Sequence, residues 1–362
     1  MSRCPDHSID PGPEAPSDPG PLKPLEYTYP ELARALHLRY GKGAFHAAAA
    51  LREIYRRGNP GFHTAAEFQR PPGLARQIAA DLQMGAGRPI EARQEGGLVK
   101  FVTLLEDGGR VESVIIPMET YHTVCVSSQV GCRMGCRFCV TGRMGFKRNL
   151  TVAEIVGQVY AARFTYRADV RNVVFMGMGE PLDNLEHVAR AVAVMEDQRA
   201  LDIARRYITV STCGLVPGIN ALAQRFTPSV PLAISLNAAD DATRSRLMPV
   251  NAKYPLKALQ KALDDYPLSK AGRLLVEYVL LKGVNDRLED ARRLVAYLDP
   301  QRVKINVIPY NGDDQGRYQP PSEDRLQRFS NILREAGHAV RRRTTRGAGV
   351  MAACGQLGAR QP

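Results

Sequence analysis

The chain has 362 residues, 44% of them apolar, enough to bury one large core or two and ordinary for a globular protein. Lys and Arg number 49 against 37 Asp and Glu, and the net charge of +12 favours a polyanionic partner, most simply nucleic acid. No stretch approaches the roughly 20 apolar residues of a membrane span and no signal-peptide core opens the chain, so a cytoplasmic protein with no membrane partner is expected. Seven cysteines, three of them clustered, fit metal or redox chemistry in a reducing compartment better than a disulfide framework.

Residues 1–24 are rich in proline and read as a disordered tail, with Cys4 an incidental thiol. Residues 25–87 read as a small helical unit. Leu32, Ala35 and Leu36, then Phe45, Ala48, Leu51, Ile54 and Tyr55, recur at helical spacing, and Pro71-Pro72 opens a third helix through Leu74, Ile78 and Leu82. Arg52, Arg56 and Arg57 give the unit a basic face, either solvated or used to dock RNA. Residues 88–120 switch to period two. Leu98–Val102 and Val111–Ile116 flank Asp107-Gly108-Gly109, a hairpin signal, and form a short β extension.

From 121 to 347 strands alternate with helices. Strands are expected at 123–126, 172–176, 207–211, 231–236, 274–280 and 303–308. Helices are expected at 151–164, where Thr151 and Glu154 form a capping box, and near 184–197, 217–225, 255–265, 286–298 and 321–336. Six such units imply an α/β fold with a parallel sheet, open or curled into a partial barrel, and ligands gather at the carboxyl ends of its strands. The polar and glycine breaks fall at those ends: Gly177-Met178-Gly179-Glu180-Pro181, Ser211-Thr212-Cys213-Gly214, Ser235-Leu236-Asn237 and Pro309-Tyr310-Asn311. Residues 348–362 form a C-terminal segment holding Cys354. Arg341-Arg342-Arg343 before it reads as an edge strand or a phosphate contact.

The first strand runs into Gly131-Cys132-Arg133-Met134-Gly135-Cys136-Arg137-Phe138-Cys139. Three thiols at CxxxCxxC spacing, in a loop with no apolar period, suit an iron–sulfur site with one coordination position open. A structural zinc site with a fourth ligand elsewhere is the alternative, although zinc sites more often show paired CxxC knuckles.

This loop and the rim motifs resemble the radical-SAM superfamily, and within it the RlmN/Cfr-type RNA adenine methyltransferases, over about Tyr29 to Gly358. The resemblance rests on Cys125-Val126-Ser127-Ser128-Gln129-Val130-Gly131-Cys132, Cys136-Arg137-Phe138-Cys139, Met176-Gly177-Met178-Gly179-Glu180-Pro181-Leu182, Lys304-Ile305-Asn306-Val307-Ile308-Pro309 and Ala352-Ala353-Cys354-Gly355-Gln356-Leu357. It implies a partial (β/α)6 TIM-like radical-SAM barrel. Cys132, Cys136 and Cys139 would hold a [4Fe–4S] cluster whose open iron takes S-adenosylmethionine. Gly179, Glu180, Ser211, Ser235, Leu236, Asn237 and Asn311 match the family's S-adenosylmethionine contacts.

The resemblance implies two S-adenosylmethionine molecules per turnover. The first methylates Cys354, and a radical from the second takes hydrogen from that S-methyl group. The methylene radical adds to an electron-poor adenine carbon, giving a covalent RNA adduct. Cys125 then resolves the adduct through a transient disulfide with Cys354, and Glu112 matches the proposed proton acceptor. The implied partners are 23S ribosomal RNA, with transfer RNA as a second RNA substrate, and a one-electron reductant such as flavodoxin or ferredoxin, acting on a monomer. Thr345-Arg346-Gly347 resembles the carbon-2 branch more than the carbon-8 branch, and a non-catalytic RNA-binding protein with a structural metal centre is the rival of another class.

Three departures stand out. Asn237 replaces the family's His and cannot transfer a proton. Val350-Met351 replaces an acidic Ile-Asp pair, and Gly312–Gly316 lacks the family's proline-rich form. Cys213, where members often have serine, is expected to pack.

Overall fold

The computed structural model describes residues 20–270, 272–312, 316–343, 349–353 and 355–358. Its N-terminal helices follow the apolar spacing. Tyr29–Tyr40 starts at a Thr28/Glu31 capping box and ends at Gly41 in the left-handed region. Ala44–Arg57 ends in the same way at Gly58, and Leu74–Asp81 completes the unit after a short turn of helix at Ala66–Gln69. Their buried faces belong to one contiguous apolar cluster that runs through the whole chain, from Leu22 to Leu357. The expected tail to residue 24 is therefore too long. Leu22 is fully buried and exchanges backbone hydrogen bonds with Asp81 and Gln83.

The sheet begins with an antiparallel arm: β1 (Arg88–Glu95), β2 (Leu98–Leu104) and β3 (Arg110–Pro117). β4 (His122–Cys125) pairs antiparallel with β3 and leads to a two-stranded ribbon, β5 (Gln129–Gly131) with β6 (Phe146–Asn149), which frames the cysteine loop. The parallel strands are then β7 (Val170–Phe175), β8 (Ile208–Thr212), β9 (Leu232–Ser235), β10 (Leu274–Leu280), β11 (Val303–Pro309) and β12 (Ala339–Arg342). Strand order in the main sheet is β1-β2-β3-β4-β7-β8-β9-β10-β11-β12. All pairings from β4 onward are parallel.

The expected alternation of strand and helix is present, with helices Val152–Phe164, Leu185–Glu196, Val216–Arg225, Leu256–Asp264, Leu288–Tyr297 and Glu323–Glu335. The capping box at Thr151 forms, with the Glu154 N–H donating to Thr151 Oγ1 at 3.2 Å and Glu154 Oε2 accepting from the Thr151 N–H at 2.9 Å. The structure adds a seventh parallel strand, β12. It starts within Ala-Val, before the arginine run that marks it in the sequence. The sheet stays open at β1 and β12 yet curls strongly, because Leu98 and Ile116 of the arm line the same cavity as Arg341 and Arg342 of β12.

The ribbon depends on close backbone approach. Gly131 has φ 76°, and a Cβ there would stand 1.9 Å from the Gly145 carbonyl oxygen. Gly96 has φ 54° with open space around it. Gly131→Ala is expected to cost about 3 kcal/mol, overpacking added to left-handed strain, and Gly96→Ala about 1 kcal/mol. Thermal unfolding of the two variants reads the difference; equal shifts would contradict the packing at Gly131.

Candidate active site

The cysteine loop leaves β5 at Gly131 and is shaped by backbone hydrogen bonds rather than by a helix. The Cys132 N–H donates to the Gly145 carbonyl at 2.8 Å, the Arg137 N–H to Leu247 at 2.9 Å and the Cys139 N–H to Cys136 at 3.1 Å. Phe138, between the second and third cysteines, anchors the loop in a small apolar cluster with Leu247, Met248, Leu281 and Tyr310. Cys132, Cys136 and Cys139 all line one cavity at the rim of the sheet, together with Gly179, Glu180 and Ser211. Burial pushes the Cys132 and Cys139 thiols above the usual range, and their neighbouring thiols push the same way. Metal loading would therefore displace protons from them.

Among the described residues no three His, Cys, Asp or Glu side chains converge on a single metal ion. A cluster with one thiolate per iron spreads its ligands over separate corners, so the donor set of three soft thiols around one cavity fits it. Cys213, expected to pack, does enter the apolar cluster, but it also lines the cavity, with its free thiol in hydrogen-bonding contact with that of Cys136.

Glu180 faces the cysteines across this cavity and is 3% exposed. Its Oε2 accepts from the Cys213 N–H at 2.8 Å, its Oε1 from the Leu182 N–H at 3.1 Å, and its own N–H donates to Gln129 Oε1 at 2.9 Å. Burial raises the carboxyl pKa, and the Cys213 N–H pulls it back. An ammonium in the cavity would favour the ionised form further, and each carboxylate oxygen keeps a lone pair for it. The glycines beside it have no room for side chains. A Cβ on Gly177 would lie 2.7 Å from the Val126 backbone, and one on Gly179 2.6 Å from Gln129 Cβ.

Ser211 and Ser235 sit at the ends of β8 and β9 and line the cavity, as does Asn237. Asn237 takes φ 57°, a conformation asparagine tolerates. Its Oδ1 accepts from the Val279 N–H at 2.8 Å and its Nδ2 lies 3.5 Å from Met248 Sδ, so most of its amide is engaged within the protein. Two expected contacts fall elsewhere. Leu236 is fully buried in the core, because alternation along the chain turns it away from the cavity. Asn311 lines the neighbouring lumen instead, and its carbonyl accepts from Gln356 Nε2 at 2.9 Å.

Sequence reasoning passed over Arg244. This side chain is fully buried, with Nε 3.0 Å from the Leu236 carbonyl, Nη2 2.6 Å from the Cys213 carbonyl and Nη1 2.9 Å from Asn251 Oδ1. It ties the rim of β8 to that of β9. An arginine in the polar helix Asp241–Leu247 carries no sequence mark of such a role.

Glu112 is buried on β3 and paired with Lys100 of β2 at 3.1 Å. Glu112 and Cys125 share a face of the sheet, since Val114 pairs with both Lys100 and Cys125. Cys354 lies outside the described residues. Its flanks are anchored: Lys100 Nζ donates to the Met351 carbonyl at 3.2 Å, Glu112 Oε2 accepts from the Gly358 N–H at 2.8 Å, and the Val140 N–H donates to the Gly355 carbonyl at 2.8 Å. Gly355 lines the cysteine cavity.

Arg244→Met keeps the volume but leaves three buried acceptors unmatched. A loss on the order of 3 kcal/mol is expected, read as an earlier thermal unfolding transition; an unchanged transition would contradict the clamp.

Residues 126–295 match the model of the radical SAM superfamily. The chain is 42% identical over 339 residues to a protein of Protochlamydia amoebophila named probable dual-specificity RNA methyltransferase RlmN 1, covering 93% of this chain and 94% of that one. It is 49% identical over 279 residues to the dual-specificity RNA methyltransferase RlmN of Desulfotalea psychrophila, covering 74% and 76%. The crystal structure of a radical SAM methyltransferase from Sphaerobacter thermophilus superposes with a TM-score of 0.86 at 36% identity, covering 93% of this chain and 99% of that one.

Proposed function

The chain belongs to the RlmN family of radical-SAM RNA methyltransferases, and we propose that it methylates carbon 2 of an adenine in 23S ribosomal RNA, and in transfer RNA as well. The observation that carries this reading is the single rim cavity holding Cys132, Cys136 and Cys139 opposite the buried carboxylate of Glu180. The family uses a [4Fe–4S] cluster and S-adenosylmethionine. When bound, they supply a methyl donor and one-electron, hydrogen-abstracting chemistry.

The chain's residues take these parts. Cys132, Cys136 and Cys139 hold the cluster. Glu180 accepts from the methionine ammonium, Gly179 lets the ligand approach the backbone, and Ser211, Ser235 and Asn237 bond its polar groups. Asn311 borders the neighbouring lumen, and Leu236 contributes backbone alone. Cys354 carries the methyl group as S-methylcysteine and becomes joined to the base through that carbon. Glu112 takes the proton that the adduct must lose. Cys125 then attacks the Cys354 sulfur, the carbon–sulfur bond breaks with its electron pair going to the methylene carbon, that carbon takes up a proton to become the methyl group, and the methylated base leaves behind a Cys125–Cys354 disulfide.

Support for these roles comes from the anchoring of the segment around Cys354 to Glu112 and Lys100, and from the common face of Glu112 and Cys125. The basic surplus and the N-terminal unit at 25–87 suit RNA docking. A flavodoxin or ferredoxin would supply the electrons to a monomeric, cytoplasmic enzyme. Among the described residues no helix is long and apolar enough to cross a membrane.

Carbon 8 is the alternative target, and Thr345-Arg346-Gly347 favours carbon 2. A non-catalytic RNA-binding protein with a structural metal would need neither Cys125 nor Cys354. Anaerobically reconstituted Cys125→Ala protein, given reductant, S-adenosylmethionine and ribosomal RNA, is expected to accumulate a protein–RNA crosslink that Cys354→Ala abolishes. Normal turnover by Cys125→Ala without a crosslink would overturn the assigned roles.

A further inference from the structure

The concave face of the sheet carries a polar row of which the roles above use only Ser235. Strand register sets it. Ser235 of β9 pairs with Glu277 of β10, Glu277 pairs with Asn306 of β11, and Asn306 pairs with Arg341 of β12. Residues paired across neighbouring strands project from the same face, so the row runs from the cysteine cavity to the last edge of the sheet.

Glu277 stands where two cavities meet. It lines the cysteine cavity and also the adjoining lumen, which is walled by Asn172, Thr209, Asn306, Arg341 and Arg343. The residue is 6% exposed. Its Oε1 accepts from Asn306 Nδ2 at 2.7 Å, whereas Oε2 has no hydrogen-bond partner among the described residues. The cation beside that oxygen, Arg343 Nη1, is 3.8 Å away, too far for a hydrogen bond. Burial raises the carboxyl pKa, against the pull of Arg343, Asn306 and Arg341. A buried acceptor without a donor is costly unless a ligand supplies one. Protonated or ionised, this carboxyl retains an oxygen that accepts.

We propose that the lumen receives the target nucleobase, that Glu277 accepts a hydrogen bond from its exocyclic amino group, and that Arg341 and Arg343 meet the flanking phosphates. The proposal rests on the RNA methyltransferase reading and names the residues that read the base. Met176 and Ile308 line both cavities and offer apolar surface to the faces of a ring. Arginines at the outer end suit a phosphate backbone, which fixes register without reading sequence. Adenine presents an amino group at the edge where guanine presents a carbonyl oxygen, and that oxygen would meet the ionised carboxylate as one acceptor against another. The row therefore selects for an amino-bearing base and orients it toward the cysteine cavity.

The test removes one atom group from the RNA and one side chain from the protein. The substrate RNA is made with adenine or with purine, which lacks the amino group, at the methylated position. With wild-type protein the purine RNA is expected to lose about 100-fold or more in kcat/KM, because the buried acceptor is left unpaired. Glu277→Leu is expected to shrink that ratio to a few-fold, while Glu277→Gln, which keeps an acceptor, preserves most of it. A Glu277→Leu enzyme that still discriminates as the wild type does would overturn the proposal. So would a purely structural outcome, in which Glu277→Leu unfolds earlier and uses both RNAs equally less well. Equilibrium binding of the two RNAs to wild-type protein reads the same contact without turnover and without a variant. The purine RNA is expected to bind about tenfold more weakly, and equal dissociation constants would contradict the contact. If the wild type methylates neither RNA, the methyltransferase reading itself fails, and the binding ratio still decides the fate of the base-reading row.

Discussion

One hydrogen-bonded chain holds the rim of the sheet together. Gln129, just ahead of the cysteine loop, accepts from the Glu180 N–H; Glu180 Oε2 accepts from the Cys213 N–H; the Cys213 carbonyl accepts from Arg244; and Arg244 donates onward to the Leu236 carbonyl. The ends of β5, β7, β8 and β9 are thereby fixed to one another. Every member is buried, so each bond is made in a low-dielectric setting where a missing partner is expensive. This constraint places three thiols and a carboxylate around one cavity before any ligand arrives. Backbone bonds from the Ser128 N–H to the Met178 carbonyl and from the Gly177 N–H to the Val126 carbonyl add to the same rim, so a substitution within the chain should loosen it most where the side chains supply the link.

The same economy governs the C-terminal segment. The Lys100–Glu112 pair sits on the antiparallel arm, far in sequence from residues 349–358, yet it contacts that segment on both sides of Cys354. Curling of the sheet is what brings the arm there. A flat sheet of this strand order would leave β2 and β12 at opposite margins, with no shared lumen and no surface for the segment to close against.

Much of this was legible in the sequence, for identifiable reasons. The parallel strands are short apolar runs bounded by turn residues, so their buried character shows directly. The cysteine spacing and the glycine breaks mark the rim without reference to the fold. What escaped has equally physical causes. β1 reads Arg-Pro-Ile-Glu-Ala-Arg-Gln-Glu and is mostly exposed at the sheet edge, so it carries no apolar alternation. Leu22 lies in a proline-rich run, and its burial comes with a backbone bridge to the chain leaving the helix that ends at Asp81, a pairing distant in sequence. Arg244 looks like a surface residue of a polar helix, and nothing local announces that its guanidinium turns inward. Asn237 is matched to a ligand contact by the family resemblance alone, and no local pattern shows that its amide also bonds the Val279 N–H and approaches Met248.

The central claim is that these parts make an RNA adenine-carbon methyltransferase. It is tested most directly by mass spectrometry of nucleosides from ribosomal and transfer RNA of cells with the gene, without it, and with it restored as Cys354→Ala. 2-Methyladenosine is expected to disappear in the deletion, to return with the wild-type gene and to fail to return with the Cys354→Ala form. An unchanged nucleoside profile in the deletion, or full restoration by Cys354→Ala, would contradict that claim.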